Sequence, residues 1–316
     1  MKIVRLLLCA ALAFAAGPAF AAYPDKPVKI VVPFPAGSAT DLVARLVGRE
    51  LQDALGQPFV IENKPGAQGQ IATDLVAKGP ADGYTLLLSA NTHAANVGLF
   101  KKLPYDPVTD FAHIARLATT SLVLMVKQDF PAKDLKGFIE HVKKNPGKLS
   151  AGYGSSSSQV CISQIEKLAG VDVNEIPYKG IPLAVNDLLA GTLDFTCVDL
   201  GNALAQAKGG RLRGIAITDS KKSPLAPDWP PMGSVLKGYE ITAWFVLLAP
   251  KATPPDIVAK LSDATVAALN KPEMREKLAL IGMQPAPLKS ADTMTFVKGE
   301  VTKWGRLIKE AGIQPE

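Results

Sequence analysis

The chain has 316 residues, 47% of them hydrophobic and 20% charged, with a net charge of +6. This composition supplies ample core and excludes disordered, collagen-like and disulfide-stapled miniprotein classes, while the length allows two domains. The cations are scattered, with runs no longer than pairs such as Lys101-Lys102, Lys143-Lys144 and Lys221-Lys222. Neither nucleic acid nor a membrane surface is therefore an expected partner.

Lys2 and Arg5 open the chain, an apolar run covers Leu6 to Ala16, and Gly17-Pro18 leads into Ala19-Phe20-Ala21. That pattern predicts a secretory signal peptide over residues 1–21, cut after Ala21. The apolar run is too short to span a bilayer, so the mature chain is expected to be soluble. Cys9 lies early in the signal and far from the cut, which argues against a lipoprotein. Two cysteines remain, Cys161 and Cys197. An oxidising compartment permits a disulfide, and two buried thiols acting as small hydrophobes remain the alternative.

Along the mature chain, strands alternate with amphipathic helices. Val28–Pro33 reads as a buried strand. In the helix that follows from Thr40-Asp41, Leu42, Val43, Leu46, Val47 and Leu51 recur on one face. Asp41, Arg45, Arg49, Glu50 and Asp53 are turned outward, and Leu55-Gly56 ends it. A strand at Phe59–Glu62, a short helix at Ile71–Lys78 and a strand at Tyr84–Leu88 complete a βαβαβ order. Such order predicts an α/β fold with a mostly parallel sheet covered on both faces. A second unit begins with the strand Leu122–Val126. It continues with a helix at Leu135–Lys144, a strand near Leu149, a helix from about Ser158 to Ala169 and a helix around Leu183–Ala190. Further strands are predicted at Val171–Ile176, Leu193–Val198 and Leu212–Ile217. Ala243–Leu248 returns the chain to a helical C-terminal part, with helix starts at Pro254-Pro255-Asp256, Pro272 and Ser290. Lobe 1 is thus expected over 22–121 and 247–316, with lobe 2, 122–246, inserted into it. Two connections between lobes make a hinge beside a cleft.

Ligands of open parallel sheets sit where strand ends lead into helix N-termini. Pro33-Phe34-Pro35-Ala36-Gly37-Ser38-Ala39-Thr40 is such a loop in lobe 1, and Gly152-Tyr153-Gly154-Ser155-Ser156-Ser157-Ser158 is its counterpart in lobe 2. Unpaired backbone donors at a helix start can hold a carboxylate without arginine. Lys64 to Gln70 is a third glycine-bearing turn. Any one of these loops could equally be a tight turn or a helix cap.

Tyr23-Pro24-Asp25-Lys26-Pro27-Val28-Lys29-Ile30-Val31-Val32-Pro33-Phe34-Pro35-Ala36-Gly37 closely resembles the opening of the solute-binding proteins of tripartite tricarboxylate transporters, the Bordetella-type (Bug, TctC-like) family. Glu62-Asn63-Lys64-Pro65-Gly66-Ala67, Asp82-Gly83-Tyr84-Thr85, Leu103-Pro104-Tyr105-Asp106-Pro107, Pro177-Tyr178-Lys179-Gly180 and Leu212-Arg213-Gly214-Ile215-Ala216 agree in order. The resemblance implies a two-lobe periplasmic-binding-protein type II fold with a hinge of two crossing segments. It also implies a periplasmic monomer that closes on one small carboxylate ligand and passes it to membrane permease subunits, and the chemistry of the second loop suggests a di- or tricarboxylate, or an aromatic acid stacked against Phe34 or Tyr153. Carried over, the ligand residues are Phe34, Ala36, Gly37, Ser38 and Thr40 in one lobe and Gly154, Ser155, Ser156 and Ser157 in the other, with Tyr153 added as a ring that could stack on the ligand. Ser89, Asn91, Thr92 and His93 are expected at a strand end facing the cleft. Asp199 falls where the family often has a pocket aspartate. It could orient water or accept a bond from the ligand, or it could cap the next turn. Ala36 and Ser38 replace the family's usual proline and glycine, and four serines followed by Gln159 replace its glycine-serine-then-histidine pattern.

Enzyme classes find little support. Ser155–Ser158, His93, His113 and Asp199 hint at a hydrolase, yet G-x-S-x-G is absent. H-E-x-x-H, C-x-x-C and G-x-G-x-x-G are absent too, so no metal or cofactor is expected. Lys179 is expected as a solvated cation rather than a Schiff-base amine. A sensory binding protein that signals to a membrane receptor would share the same pocket and remains the alternative.

Overall fold

The structure, a computed structural model, describes residues 23–239 and 241–315. The signal peptide expected over 1–21 lies outside the described residues. The strands are β1 (Val28–Val32), β2 (Phe59–Asn63), β3 (Thr85–Ala90), β4 (Phe111–Lys127), β5 (Ser150–Tyr153), β6 (Asn174–Pro177), β7 (Phe195–Asp199), β8 (Leu212–Ile217), β9 (Thr242–Pro250) and β10 (Gln284–Leu288). The helices are α1 (Ala39–Leu55), α2 (Gln70–Ala77), α3 (Thr92–Leu99), α4 (Leu135–Lys144), α5 (Ser156–Ala169), α6 (Ile181–Ala190), α7 (Leu200–Lys208), α8 (Pro255–Leu269), α9 (Pro272–Leu280) and α10 (Ser290–Glu310).

Two lobes result, each built on one sheet. In the first, β2, β1 and β3 run parallel, and β9, β4 and β10 follow antiparallel. In the second, β7, β5 and β6 are parallel, and the last residues of β4 pair antiparallel with β7 and β8. The sheets are therefore mixed rather than mostly parallel. The strands that carry the chain between lobes, β4 and β9, must run against the βαβ units they join. The strand expected at Leu122–Val126 is the far end of β4, a 17-residue strand whose first part, Phe111–Ser121, pairs with β9 in the first sheet. Sequence reasoning missed α3, α7 and β10, and it started β6 three residues early.

Helix α1 shows how the apolar stripe sets the packing. Ser38 caps its start, Gly56 closes it in the left-handed region at φ +77°, and Val43, Val47 and Leu51 are wholly buried. Each such side chain contributes roughly 1.5–3 kcal/mol of burial. Two of the charges expected to face water do not: Asp41 and Glu50 are buried, and Glu50 is held by Lys277 of α9 and by Lys271 just before it. Glu300 of α10 accepts from both the Trp244 and Trp304 indoles at 2.6 and 2.9 Å, which fastens α10 to β9. Cys161 and Cys197 form a disulfide between α5 and β7, with Cα atoms 6.4 Å apart.

Candidate functional site

The lobe 1 loop is shaped by Asp41. Its carboxylate accepts from the Gly37 N–H at 3.0 Å and from the Arg45 Nε at 3.0 Å, while Asn63 Nδ2 donates both to Asp41 Oδ1 at 3.0 Å and to the Phe34 carbonyl at 2.9 Å. Burial would raise the Asp41 carboxyl. The bonds from Arg45, Gly37 and Asn63 outweigh it and hold the group below its ordinary value. Gly37 adopts φ +80°, which an L side chain resists. The loop thus delivers Ser38 as the cap of α1, its Oγ accepting from the Asp41 N–H. The Ala39 and Thr40 amides are left without acceptors among the described residues.

The lobe 2 loop is organised by its own serines. Ser158 Oγ accepts from the Gly154 and Ser155 amides, both at 3.0 Å, and Ser155 Oγ accepts from the Ser158 amide at 3.2 Å. This reciprocal capping box fixes the start of α5. It uses up the Gly154 and Ser155 donors and leaves those of Ser156 and Ser157 without acceptors among the described residues.

Both helix starts open on one small cavity that is continuous with solvent. Its wall holds Phe34, Ser38, Ala39, Thr40, Ala90, Asn91 and Thr92 from lobe 1, Gly154, Ser155, Ser157, Ile181 and Asp199 from lobe 2, and Thr120, Leu122, Ala243 and Phe245 from the crossing strands. Asn91 Nδ2 and Thr92 Oγ1 are buried and have no hydrogen-bond partner among the described residues. Buried polar atoms in this condition are costly unless something arrives to pair them. Asp199 is the one ionisable residue of the wall. It caps α7, accepting from the Asn202 amide at 3.1 Å and from Asn202 Nδ2 at 2.7 Å. Burial raises its carboxyl above the ordinary value against those bonds. Capping and facing the cavity are thus both true of Asp199. The cavity can pair an acid's oxygens with amides, an amide side chain and a hydroxyl, with no cation in its wall.

Of the residues expected at the site, Phe34, Ser38, Thr40, Asn91, Thr92, Gly154, Ser155, Ser157 and Asp199 line this cavity, and six do not. The Gly37 amide is committed to Asp41, and Ala36 precedes it outside the wall. Ser89 is buried in β3 opposite Val246. His93 Nε2 lies 2.8 Å from the Pro107 carbonyl, with Tyr105 stacked on its ring and Phe111 at its edge. Burial pushes His93 down to about 4, so it is a neutral core side chain at neutral pH. Ser156 turns to the other lobe, its Oγ 3.2 Å from Gln68 Oε1. Tyr153 is buried outside the wall, so the rings that line the cavity are Phe34 and Phe245. The wall residues missed were Ala39, Ala90, Thr120, Leu122, Ile181, Ala243 and Phe245. Thr120 pairs with Ala243 in the sheet, an adjacency of positions 123 residues apart that local sequence does not reveal. Neither His93 nor His113 bonds a serine, so the residues named for a hydrolase do not assemble. Among the described residues there is no cluster able to hold a metal ion and no helix long and apolar enough to cross a membrane.

The model of the family described as tripartite tricarboxylate transporter family receptor matches residues 43–313. Protein BugT of Bordetella pertussis is 35% identical over 297 residues, covering 92% of this chain and 90% of its own. The solved structure of R. palustris Rpa4515 with adipate is 32% identical at a TM-score of 0.90, covering 93% of this chain and all of its own. MatC (Rpa3494) from Rhodopseudomonas palustris with bound malate is 33% identical at 0.85, covering 90% of this chain and all of its own. With the two-lobed α/β fold and the cleft already described, these matches identify the chain as a member of the tripartite tricarboxylate transporter receptor family, whose members are periplasmic substrate-binding proteins and not enzymes.

Proposed function

We propose that the protein, exported to the periplasm by its signal peptide, captures a small di- or tricarboxylate or aromatic carboxylic acid in the interlobe cavity. It then delivers that ligand, as a monomer, to the permease subunits of a tripartite tricarboxylate-type transporter. Lobe 1 (22–121 and 247–316) and lobe 2 (122–246) close on the ligand about β4 and β9. The Ala39, Thr40 and Ser157 amides take one carboxylate, and Asn91 and Thr92 complete its shell. The carrying observation is the pair of buried, unpartnered groups Asn91 Nδ2 and Thr92 Oγ1 in the wall of a cavity onto which two capped helix starts open. The adipate and malate of the two relatives support the ligand class. Asp199 then meets the ligand either as a neutral carboxyl or by accepting from a ligand hydroxyl or amine.

A thermal-shift series with adipate, malate, citrate and benzoate tests this reading. At least one acid should raise the Tm, because a ligand that prefers the folded chain stabilises it. Asn91→Ala should abolish the shift. Indifference to all four acids and to Asn91→Ala would remove the proposal. Loss of uptake of the identified acid on gene deletion tests delivery; intact uptake would overturn it.

A further inference from the structure

Gln68 stands outside the cavity wall, in the loop between β2 and α2, and reaches across the cleft. Its Nε2 donates to Gln159 Oε1 at 3.1 Å, and the Ser156 hydroxyl donates to its Oε1 at 3.2 Å. Ser156 and Gln159 are buried on α5 in lobe 2. On its own side, the Gln68 carbonyl accepts from Asn96 Nδ2 at 3.1 Å, and Asn96 Oδ1 lies 3.4 Å from the same Ser156 hydroxyl. Both ends of one amide are thus engaged by the opposite lobe, and the backbone beneath it is anchored in the first.

The loop's conformation is unfavourable by itself. Ala67 and Gln68 both have φ +45°, two successive non-glycine residues in the left-handed region. There the Cβ crowds the following carbonyl, and such conformers persist where surrounding contacts over-determine them. The turn keeps bonds of its own, from the Gly69 N–H to the Gly66 carbonyl at 2.8 Å and from the Gln70 N–H to the Ala67 carbonyl, and the Gln68 side chain and carbonyl add those to Ser156, Gln159 and Asn96. The bonds to Ser156 and Gln159 exist only while the lobes are together.

We propose that Gln68 is a positioning residue for ligand capture: its side chain holds the lobes shut over the cavity, in a backbone conformation that belongs to the closed state. The Gln68 bonds favour closure before any ligand arrives, and the strain of Ala67 and Gln68 opposes it. Apparent affinity is the intrinsic affinity scaled by the closed fraction, so Gln68 acts alike on every ligand. This inference rests on the cavity being the ligand site.

The test pairs Gln68→Ala with Ala67→Gly. Spin labels at Arg49→Cys and Lys143→Cys, exposed positions on α1 and α4, report the lobe separation, and titrations with adipate and malate report affinity. Gln68→Ala should lengthen the ligand-free distance and weaken both acids by the same factor, about tenfold for two lost hydrogen bonds, with their ratio unchanged. Ala67→Gly should shorten the ligand-free distance and tighten both by about fivefold through relieved strain. Unchanged ligand-free distances in Gln68→Ala would overturn the proposal. So would an altered adipate-to-malate ratio, which makes Gln68 a ligand contact. Ala67→Gly that raises Tm at constant affinity would also overturn it, because the strain would then exist in both states. If neither acid binds the parent protein, the cavity reading suffers, and the ligand-free distances still decide the role of Gln68.

Discussion

Gly180 lies against Pro35 across the cleft: a Cβ at Gly180 would stand 2.6 Å from the proline Cδ. Its backbone is extended, at φ 177°, a conformation open to any residue, so glycine serves the close approach here and not an unusual turn. Gly180→Ala should wedge the lobes apart and weaken every ligand by about tenfold. Calorimetric titration of the variant beside the parent measures it, and an unchanged affinity would show that the two loops do not govern closure.

Asp41 supports the lobe 1 loop from beneath. Asp41→Ala leaves the Gly37 amide without its acceptor, takes one of two acceptors from Asn63 Nδ2, and strips Arg45 of its carboxylate partner. A loss of about 2–3 kcal/mol in unfolding free energy is expected, typical of hydrogen bonds to a buried charge. Ligand affinity should fall as well, because Ala39 and Thr40 lose their fixed orientation. Urea unfolding and titration of the same preparation separate the two effects.

Burial raises the Asp199 carboxyl above its ordinary value, and an incoming carboxylate would raise it further. Capture of an anion then brings a proton with it wherever free Asp199 is ionised, so affinity should fall as pH rises above the free-state value. Asp199→Asn keeps a side chain able to cap α7 and removes the proton. It should flatten the pH dependence and bind more tightly than the parent at pH 8. Titrations between pH 5 and 8 check this, and equal slopes for the two proteins would contradict it.

Burial, and then a bond shared with Glu175, raises Glu166 to about 8. A carboxyl whose folded value exceeds its unfolded one contributes stability that is complete below the unfolded value and disappears as pH climbs through the folded one. The parent should therefore lose stability between about pH 5 and pH 8 relative to Glu166→Gln. Its Tm should drop by a few degrees more, a discounted figure because the group is only partly buried. Differential scanning calorimetry across that range measures the gap.

The Cys161–Cys197 disulfide closes a span of 36 residues, for which chain entropy gives a contribution of about 4 kcal/mol. A Cys161→Ser, Cys197→Ser double variant should lower the denaturant midpoint accordingly. The ligand preference should stay the same, since neither sulfur lines the cavity.

Much of the fold was legible because periodicity reports burial directly: the stripe Val43, Val47, Leu51 and the stop at Gly56 define α1 before any coordinates. The serine run announced a helix start in the second loop, but successive helical residues point about 100° apart. Ser157 lines the cavity, Ser156 on the same helix faces Gln68, the extended cap Ser155 lines the cavity beside Ser157, and Ser158 turns back onto the loop, a division that composition does not encode. Asp41 looked solvent-facing because its charge suited the polar side of α1, whereas three donors from Gly37, Arg45 and Asn63 make its burial tolerable. Pairing of the cysteines depended on the separation of α5 and β7, a tertiary distance.

Among the described residues, β4 alone belongs to both sheets, giving its first part to β9 and its last residues to β7 and β8. Melting of either sheet strips hydrogen bonds from the same strand that the other needs. The lobes should consequently denature as one cooperative unit, so that a substrate-induced gain measured on either lobe reads out the integrity of both.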